Sequence, residues 1–173
     1  EDCLSVAFAG APENPEWLED GLAEGLLDAR PDGNIGADQA KAYLEKVLSL
    51  PHTLVPDRAQ AAEKKPIVEA MGEKKVLTDG THVLELYHLK NFGHHDGMIV
   101  AYLPKEKVLL EADGYNPQAT TATAPNPPSP YTLSLVDNIQ RLKLDVQRIV
   151  PVHYPADNRV VTLAELLKWV GKS

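Results

Sequence analysis

Three polar side chains have the types and positions for chemistry: His94, Asp113 and His153. His94 precedes an apolar, β-prone run at 98–102, Asp113 follows another at 108–110, and His153 follows a third at 148–152. Strand ends are where a rigid sheet delivers side chains into a shared site. Imidazole and carboxylate together are a ligand set for zinc or a similar divalent ion. Taken singly, each residue also reads as something plainer: a histidine in a loop or core, an aspartate forming a turn or capping a helix. Their order along the chain is what joins them.

The remaining candidates are weaker. His95 reads as an extra ligand or a hydrogen-bond donor behind one, or as a residue turned to the opposite face, since neighbours on a strand alternate. His82 and His88 share parity with Leu84 and Leu86, which marks structural residues beside a buried face and turns Glu85 and Tyr87 toward solvent. His52 lies in a linker. Asp96 and Glu111 flank the candidate ligands; they would orient them by hydrogen bonds or simply stand at the surface.

The elements needed to position these residues follow from local pattern. Asp38 is a reasonable N-cap for a helix over 38–50, whose apolar face (Ala42, Leu44, Val47, Leu48) ends at Pro51. Runs at 74–78 and 81–88 flank Asp79-Gly80, the signature of a type I′ hairpin. A second strand pair, 98–102 and 107–110, turns at Pro104-Lys105-Glu106. The Pro-, Thr- and Ala-rich stretch 116–130 has no core pattern. An amphipathic helix over 133–142, a short buried strand over 148–152 and a terminal helix over 162–170 complete the chain. Thr162 and Glu165 have the spacing of a capping box. Strands followed by alternating helix and strand give a layered α/β arrangement. Residues 1–40 differ: they are rich in Gly, Pro, Asp and Asn, with an amphipathic helix over about 15–29 and no histidine.

Composition bounds the function. With 173 residues and 43% hydrophobic content the chain can bury a core of its own. A net charge of −8 argues against nucleic acid and against an anionic membrane surface; it says nothing sharp about a small-molecule substrate, the partner expected if the chain is active. The one cysteine, Cys3, excludes an internal disulfide and a thiolate metal site. No apolar run has the length of a membrane span and no clear signal peptide is present, so the expected compartment is cytoplasmic or periplasmic.

The segments around the three candidates resemble the metallo-β-lactamase-fold hydrolases. Gly93-His94-His95-Asp96-Gly97-Met98-Ile99-Val100-Ala101-Tyr102-Leu103-Pro104 is similar to the segment carrying the family's third histidine ligand. Lys107-Val108-Leu109-Leu110-Glu111-Ala112-Asp113 resembles the strand ending in the metal-bridging aspartate. Ile149-Val150-Pro151-Val152-His153 resembles the strand ending in the last histidine ligand. Lys41-Ala42-Tyr43-Leu44-Glu45-Lys46 and the linker from Pro51 to Arg58 match the preceding helix and connection of some bacterial members. The resemblance implies a layered α/β sandwich, represented over 41–173 mainly by its C-terminal half. It also implies two metal ions about 3.5–4 Å apart that supply a hydroxide for hydrolysis. His94 would serve one metal, Asp113 would bridge, and His153 would serve the other.

The sequence departs from that pattern upstream. The family's His-x-His-x-Asp-His motif supplies four ligands, yet no His-x-His pair occurs among the six histidines here, and 1–40 holds none. The last motif reads Pro151-Val152-His153-Tyr154 where Pro-Gly-His-Gly is common, so Val152 and Tyr154 would narrow access. Three readings follow. The chain is a degenerate or truncated hydrolase with an incomplete zinc site, holding weakly bound metal or none. It is a non-enzymatic assembly or binding domain, whose half-sandwich is completed by dimerisation and which is therefore a homo-oligomer. Or it is part of an active zinc hydrolase whose other portion brings the motif.

Overall fold

The computed structural model describes residues 34–37, 41–49, 67–93 and 97–172. In chain order its elements are β1 (Asn34–Ala37), α1 (Lys41–Leu48), β2 (Val68–Met71), β3 (Lys74–Thr78), β4 (Val83–His88), β5 (Ile99–Leu103), β6 (Val108–Glu111), α2 (Pro130–Leu142), β7 (Arg148–Pro151), β8 (Val161–Thr162) and α3 (Leu163–Trp169). The helix expected over 15–29, the Asp38 cap and the linker over 52–66 lie outside the described residues. β1 falls in the segment read as helix and loop. It pairs in parallel with β2, Asn34 opposite Val68 and Ala37 opposite Met71, and α1 lies against both. A four-residue strand paired over more than thirty residues of chain leaves little local signal, which is why β1 and β2 escape a pattern reading.

The other six strands form one sheet in sequence order, from β3 to β8. All neighbours are antiparallel except β6 and β7, which run in parallel with Val108 opposite Arg148 and Glu111 opposite Pro151. A parallel pair needs a crossover, and α2 lies within it. β6 is Val-Leu-Leu-Glu, buried along its whole length, as expected of a strand covered on both faces. One face packs Val100, Leu109 and Ile149 against Leu135, Val136 and Ile139 of α2 and Leu166 of α3. The other face carries Leu86, Leu103, Leu110 and Val150, with Met71 of β2 joining them. These residues are buried, whereas Ile67, Val76 and Val83 near the β3 edge of the sheet are exposed.

Local chemistry explains the helix ends. α2 begins three residues earlier than its apolar periodicity, because Pro130 at N1 has its φ already set for a helix. Its end is a left-handed Lys143 (φ 54°), with the Lys143 and Leu144 amides donating to Gln140 and Ile139 carbonyls. α3 is capped by Thr162, whose hydroxyl accepts from the Glu165 amide at 3.2 Å. The reciprocal half of the capping box is absent, because the Glu165 carboxylate is taken by Tyr115 and Arg159.

Two expectations on the β3–β4 hairpin need correction. Thr78 pairs with Val83, so the loop has four residues, 79–82, not the two of a type I′ turn. The Asp79 carboxylate widens it by accepting the Thr81 and His82 amides, both at 2.7 Å. Tyr87 does not face solvent: it is buried against the helices, and its hydroxyl donates to Glu85 at 2.6 Å, while Lys74 pairs with the same carboxylate. An amphipathic phenol can bury its ring and keep its hydroxyl bonded, which a polarity pattern does not register. No helix among the described residues is long and apolar enough to cross a membrane.

Candidate functional site

Strand direction gathers the candidate residues. β6 and β7 are parallel neighbours, so their C-terminal ends lie side by side, and the ladder continues one step further through Val152 N to Glu111 O at 3.0 Å. Asp113 and His153 each stand two residues past their strand. Forty residues apart in sequence, they meet with His153 Nε2 2.9 Å from Asp113 Oδ1. β5 is antiparallel to β6, with Ala101 opposite Leu110, so its first residue, Ile99, lies at this same edge. The loop from β4 to β5 therefore reaches the edge where Asp113 and His153 stand. His94, His95 and Asp96 are in that loop but lie outside the described residues, as does His52.

The described part of the loop is firmly held. Asn138 on α2 is buried and clamps Lys90 from both sides: its Oδ1 accepts the Lys90 amide and its Nδ2 donates to the Lys90 carbonyl, each at 2.9 Å. Arg141 adds a contact to the same Oδ1 at 2.8 Å, and the Ser134 hydroxyl donates to the Asn91 carbonyl at 3.0 Å. Phe92 is buried, with its ring 6.1 Å from that of Tyr131, and Gly93 passes beside the same tyrosine. Asn138 gave no signal in the sequence. A buried asparagine on a helix face looks like a break in amphipathicity until its partner is known.

Asp113 sits on a sharp turn, with a left-handed backbone (φ 61°). Two neighbours shape that turn. Glu111, the last residue of β6, is buried and its Oε2 accepts the amides of Gly114 at 2.8 Å and Tyr115 at 3.2 Å. Gly114 is required there: a Cβ would come within 2.9 Å of Glu111 Oε2 and 3.0 Å of Leu135. Burial is the largest influence on the Glu111 carboxyl, and the nearby Asp113 charge adds to it; together they overcome the two amides and push its pKa up to about 8. Its Oε1 has no hydrogen-bond partner among the described residues. The carboxyl thus favours its neutral form at pH 7. Glu111, read from sequence as either an orienting or a surface residue, is buried, and it bonds the backbone just past Asp113 rather than Asp113 itself.

Beyond the turn, Tyr115 is buried, and its hydroxyl donates to Glu165 at 3.0 Å. Burial, reinforced by that carboxylate, holds the phenol pKa well above its usual value. Arg159 donates to Glu165 at 2.7 Å, to Asp157 at 2.9 Å and to the Gln118 carbonyl at 2.6 Å. This lattice ties the loop after Asp113 to the start of α3. Beside Asp113 opens a cavity of about 420 Å³, with Asn116, Ser129, Tyr131, Thr132 and Trp169 in its lining.

The donor chemistry of Asp113 and His153 suits a divalent ion, and the two side chains lie within hydrogen-bond distance of each other. No third histidine, cysteine, aspartate or glutamate joins them to form a metal-binding group among the described residues.

No protein-family model matches the sequence. No curated protein matches it either. Solved structures do. An archaeal metallo-β-lactamase superfamily protein from Sulfolobus tokodaii superposes with a TM-score of 0.50 at 16% identity, over 88% of this chain and 62% of that one. The flavodiiron core Flv1 from Synechocystis sp. PCC6803 gives 0.50 at 16% identity, over 79% of this chain and 36% of that one. The chain thus spans less than two thirds of either relative. At these identities the likeness is one of fold, and the fold is that of the metallo-β-lactamases.

Proposed function

We propose that these 173 residues form a metallo-β-lactamase-fold domain related to metal-dependent hydrolases, with a partial ligand set and weak or no hydrolytic activity on their own. The observation that carries this reading is the Asp113–His153 pair, 2.9 Å apart at the ends of adjacent parallel strands. The pair has the ligand chemistry of zinc, and the sheet rather than a flexible loop sets its spacing. Asp113 and His153 would hold one ion, with His94 as the third ligand by resemblance. When bound, such an ion supplies Lewis acidity and a source of hydroxide near neutral pH.

The chain's own residues do the positioning. Glu111 and Gly114 fix the turn that aims Asp113. Asn138 holds the loop leading to His94. The Arg159–Glu165–Tyr115 lattice holds the cavity wall in place. What is missing from the sequence is the four-ligand motif that would seat two ions, which is why the expected activity is low.

Zinc loading followed by gel filtration and metal analysis tests the reading. We expect at most one ion per chain, readily stripped by a chelator, and hydrolysis of lactone, thioester and β-lactam probes near background. Two tightly retained ions per chain, with turnover of any of these, would overturn it.

A further inference from the structure

One stripe of α2 follows the chain that leads to His94. Tyr131, Ser134, Asn138 and Arg141 are spaced three, four and three residues apart, so they share a face of the helix. That face lies beside the apolar one, where Leu135, Val136 and Ile139 pack on the sheet.

The stripe meets the chain in reverse order. The Arg141 guanidinium donates to the His88 carbonyl at 3.3 Å, where β4 ends. Asn138 takes both backbone groups of Lys90 at 2.9 Å. The Ser134 hydroxyl donates to the Asn91 carbonyl at 3.0 Å. The Tyr131 ring lies against Phe92, with centroids 6.1 Å apart, and borders Gly93. The lengths match: ten residues of helix rise about 15 Å, and five residues of open chain cover about the same distance.

Three of the four contacts go to main-chain atoms, so they fix the course of the chain whatever side chains it carries. That course includes a residue that needs holding, because Asn91 has a left-handed backbone (φ 54°). Asparagine enters this conformation more readily than most residues, and surrounding contacts keep it there. The fourth contact is an aromatic pair at a separation where such rings attract. Phe92 is buried, which anchors the chain directly before Gly93.

We propose that this stripe is a positioning element for the zinc-ligand loop: it sets where residue 94 begins, and so whether the His94 imidazole can join Asp113 and His153. The positioning role rests on the reading of His94 as a ligand. A metal site needs its ligands placed to within about 0.5 Å. Parallel strands supply that precision to Asp113 and His153. His94 falls between β4 and β5 in sequence, and pairing there runs on to the Leu89 amide on the Met98 carbonyl at 2.9 Å. Past that bond the helix stripe takes over the strands' task.

The test is titration of the intact, chelator-stripped chain with zinc and with cobalt(II). Asn138→Ala would empty a buried site and endanger the fold, so Ser134→Ala and Tyr131→Ala are the informative variants. Ser134→Ala deletes one hydrogen bond to the loop and should weaken zinc by about two- to tenfold. Tyr131→Ala should weaken it at least as much, while Tyr131→Phe keeps the ring and should restore the parent affinity. Gln140→Ala, exposed on the opposite side of α2, should change nothing. The cobalt(II) absorption reports ligand number and geometry, and should change in the two weakened variants alone. In a His94→Ala background, itself weaker than the parent, neither alanine substitution should have a further effect. Parent affinity and spectrum in both alanine variants, or equal losses with and without His94, would overturn the positioning role and leave the ligand reading standing. A His94→Ala chain with parent affinity, or a parent that takes up no zinc, would overturn the ligand reading and the positioning role with it.

Discussion

The sheet carries two aspartate–histidine pairs of nearly equal length at opposite ends. At the β3–β4 turn, His82 Nδ1 lies 2.8 Å from Asp79 Oδ2; past β6 and β7, His153 Nε2 lies 2.9 Å from Asp113 Oδ1. By distance alone they are the same contact. They differ in what brings them together and in what else each carboxylate does. Asp79 and His82 are three residues apart, in one loop, and Asp79 also accepts two backbone amides. Those amides, with His82, hold the Asp79 carboxyl well below the usual carboxylate range. Its acceptor capacity is spent on closing a turn. Asp113 and His153 are forty residues apart and meet because two parallel strands end together, beside a cavity and on a backbone set by Glu111. A contact between ligand-type residues becomes a candidate site when the fold imposes it and leaves the groups able to change partners.

Single substitutions should pull the two pairs apart. The largest difference is expected in zinc affinity: His153→Ala should weaken it by at least about tenfold, the loss that even an outer partner of a metal ligand can give. His82→Ala should leave it unchanged. Titration calorimetry on the chelator-stripped chain measures both, and equal effects at the two positions would erase the distinction.

A smaller effect separates the supports behind the pairs. Glu111 has a folded pKa raised to about 8 from an ordinary value of 4.5, so between these limits the folded chain holds a proton that the unfolded chain has released. Stability should therefore fall as pH rises through that window. Glu111→Gln keeps an oxygen for the Gly114 and Tyr115 amides and removes the titration. Urea unfolding across pH 5 to 8 should show a decline in the parent that is flattened in the variant; parallel curves would contradict the assignment.

The smallest effect belongs to the turn. The Asp79 pKa is lowered, so its contribution is present above the ordinary aspartate value and is lost as pH falls below it. Asp79→Asn should lower the melting temperature slightly at pH 6, with the gap closing toward pH 3, and should not alter zinc binding. A loss that persists undiminished at low pH would mean the carboxylate charge is not what closes the loop.

Much of the C-terminal architecture could be read in the sequence because its signals are local. The apolar runs of β5, β6 and β7 stand out, and each is followed or preceded by a lone polar residue. The Asp113–His153 meeting was also legible, through the resemblance of those strand ends to metallo-β-lactamase motifs. What escaped depends on distant partners. β1 and β2 are short and make sense only as a pair. Tyr87 and Asn138 are polar residues made buriable by Glu85 and by the Lys90 backbone, and nothing near them in sequence says so. Glu111 looked ambiguous because its burial comes from the layer packed over β6.

The loop from Asn116 to Ser129 has no regular element, yet both its ends are fixed, one by Tyr115 on Glu165 and the other by the first turn of α2. Its middle is exposed and answers to neither the sheet nor the helices. Such a segment is free to be exchanged: lengthened, shortened or rewritten without moving Asp113 or His153. The sequence of this loop and the integrity of the fold are thereby separable properties in this chain, and the first can be varied by design or by descent while the second is left alone.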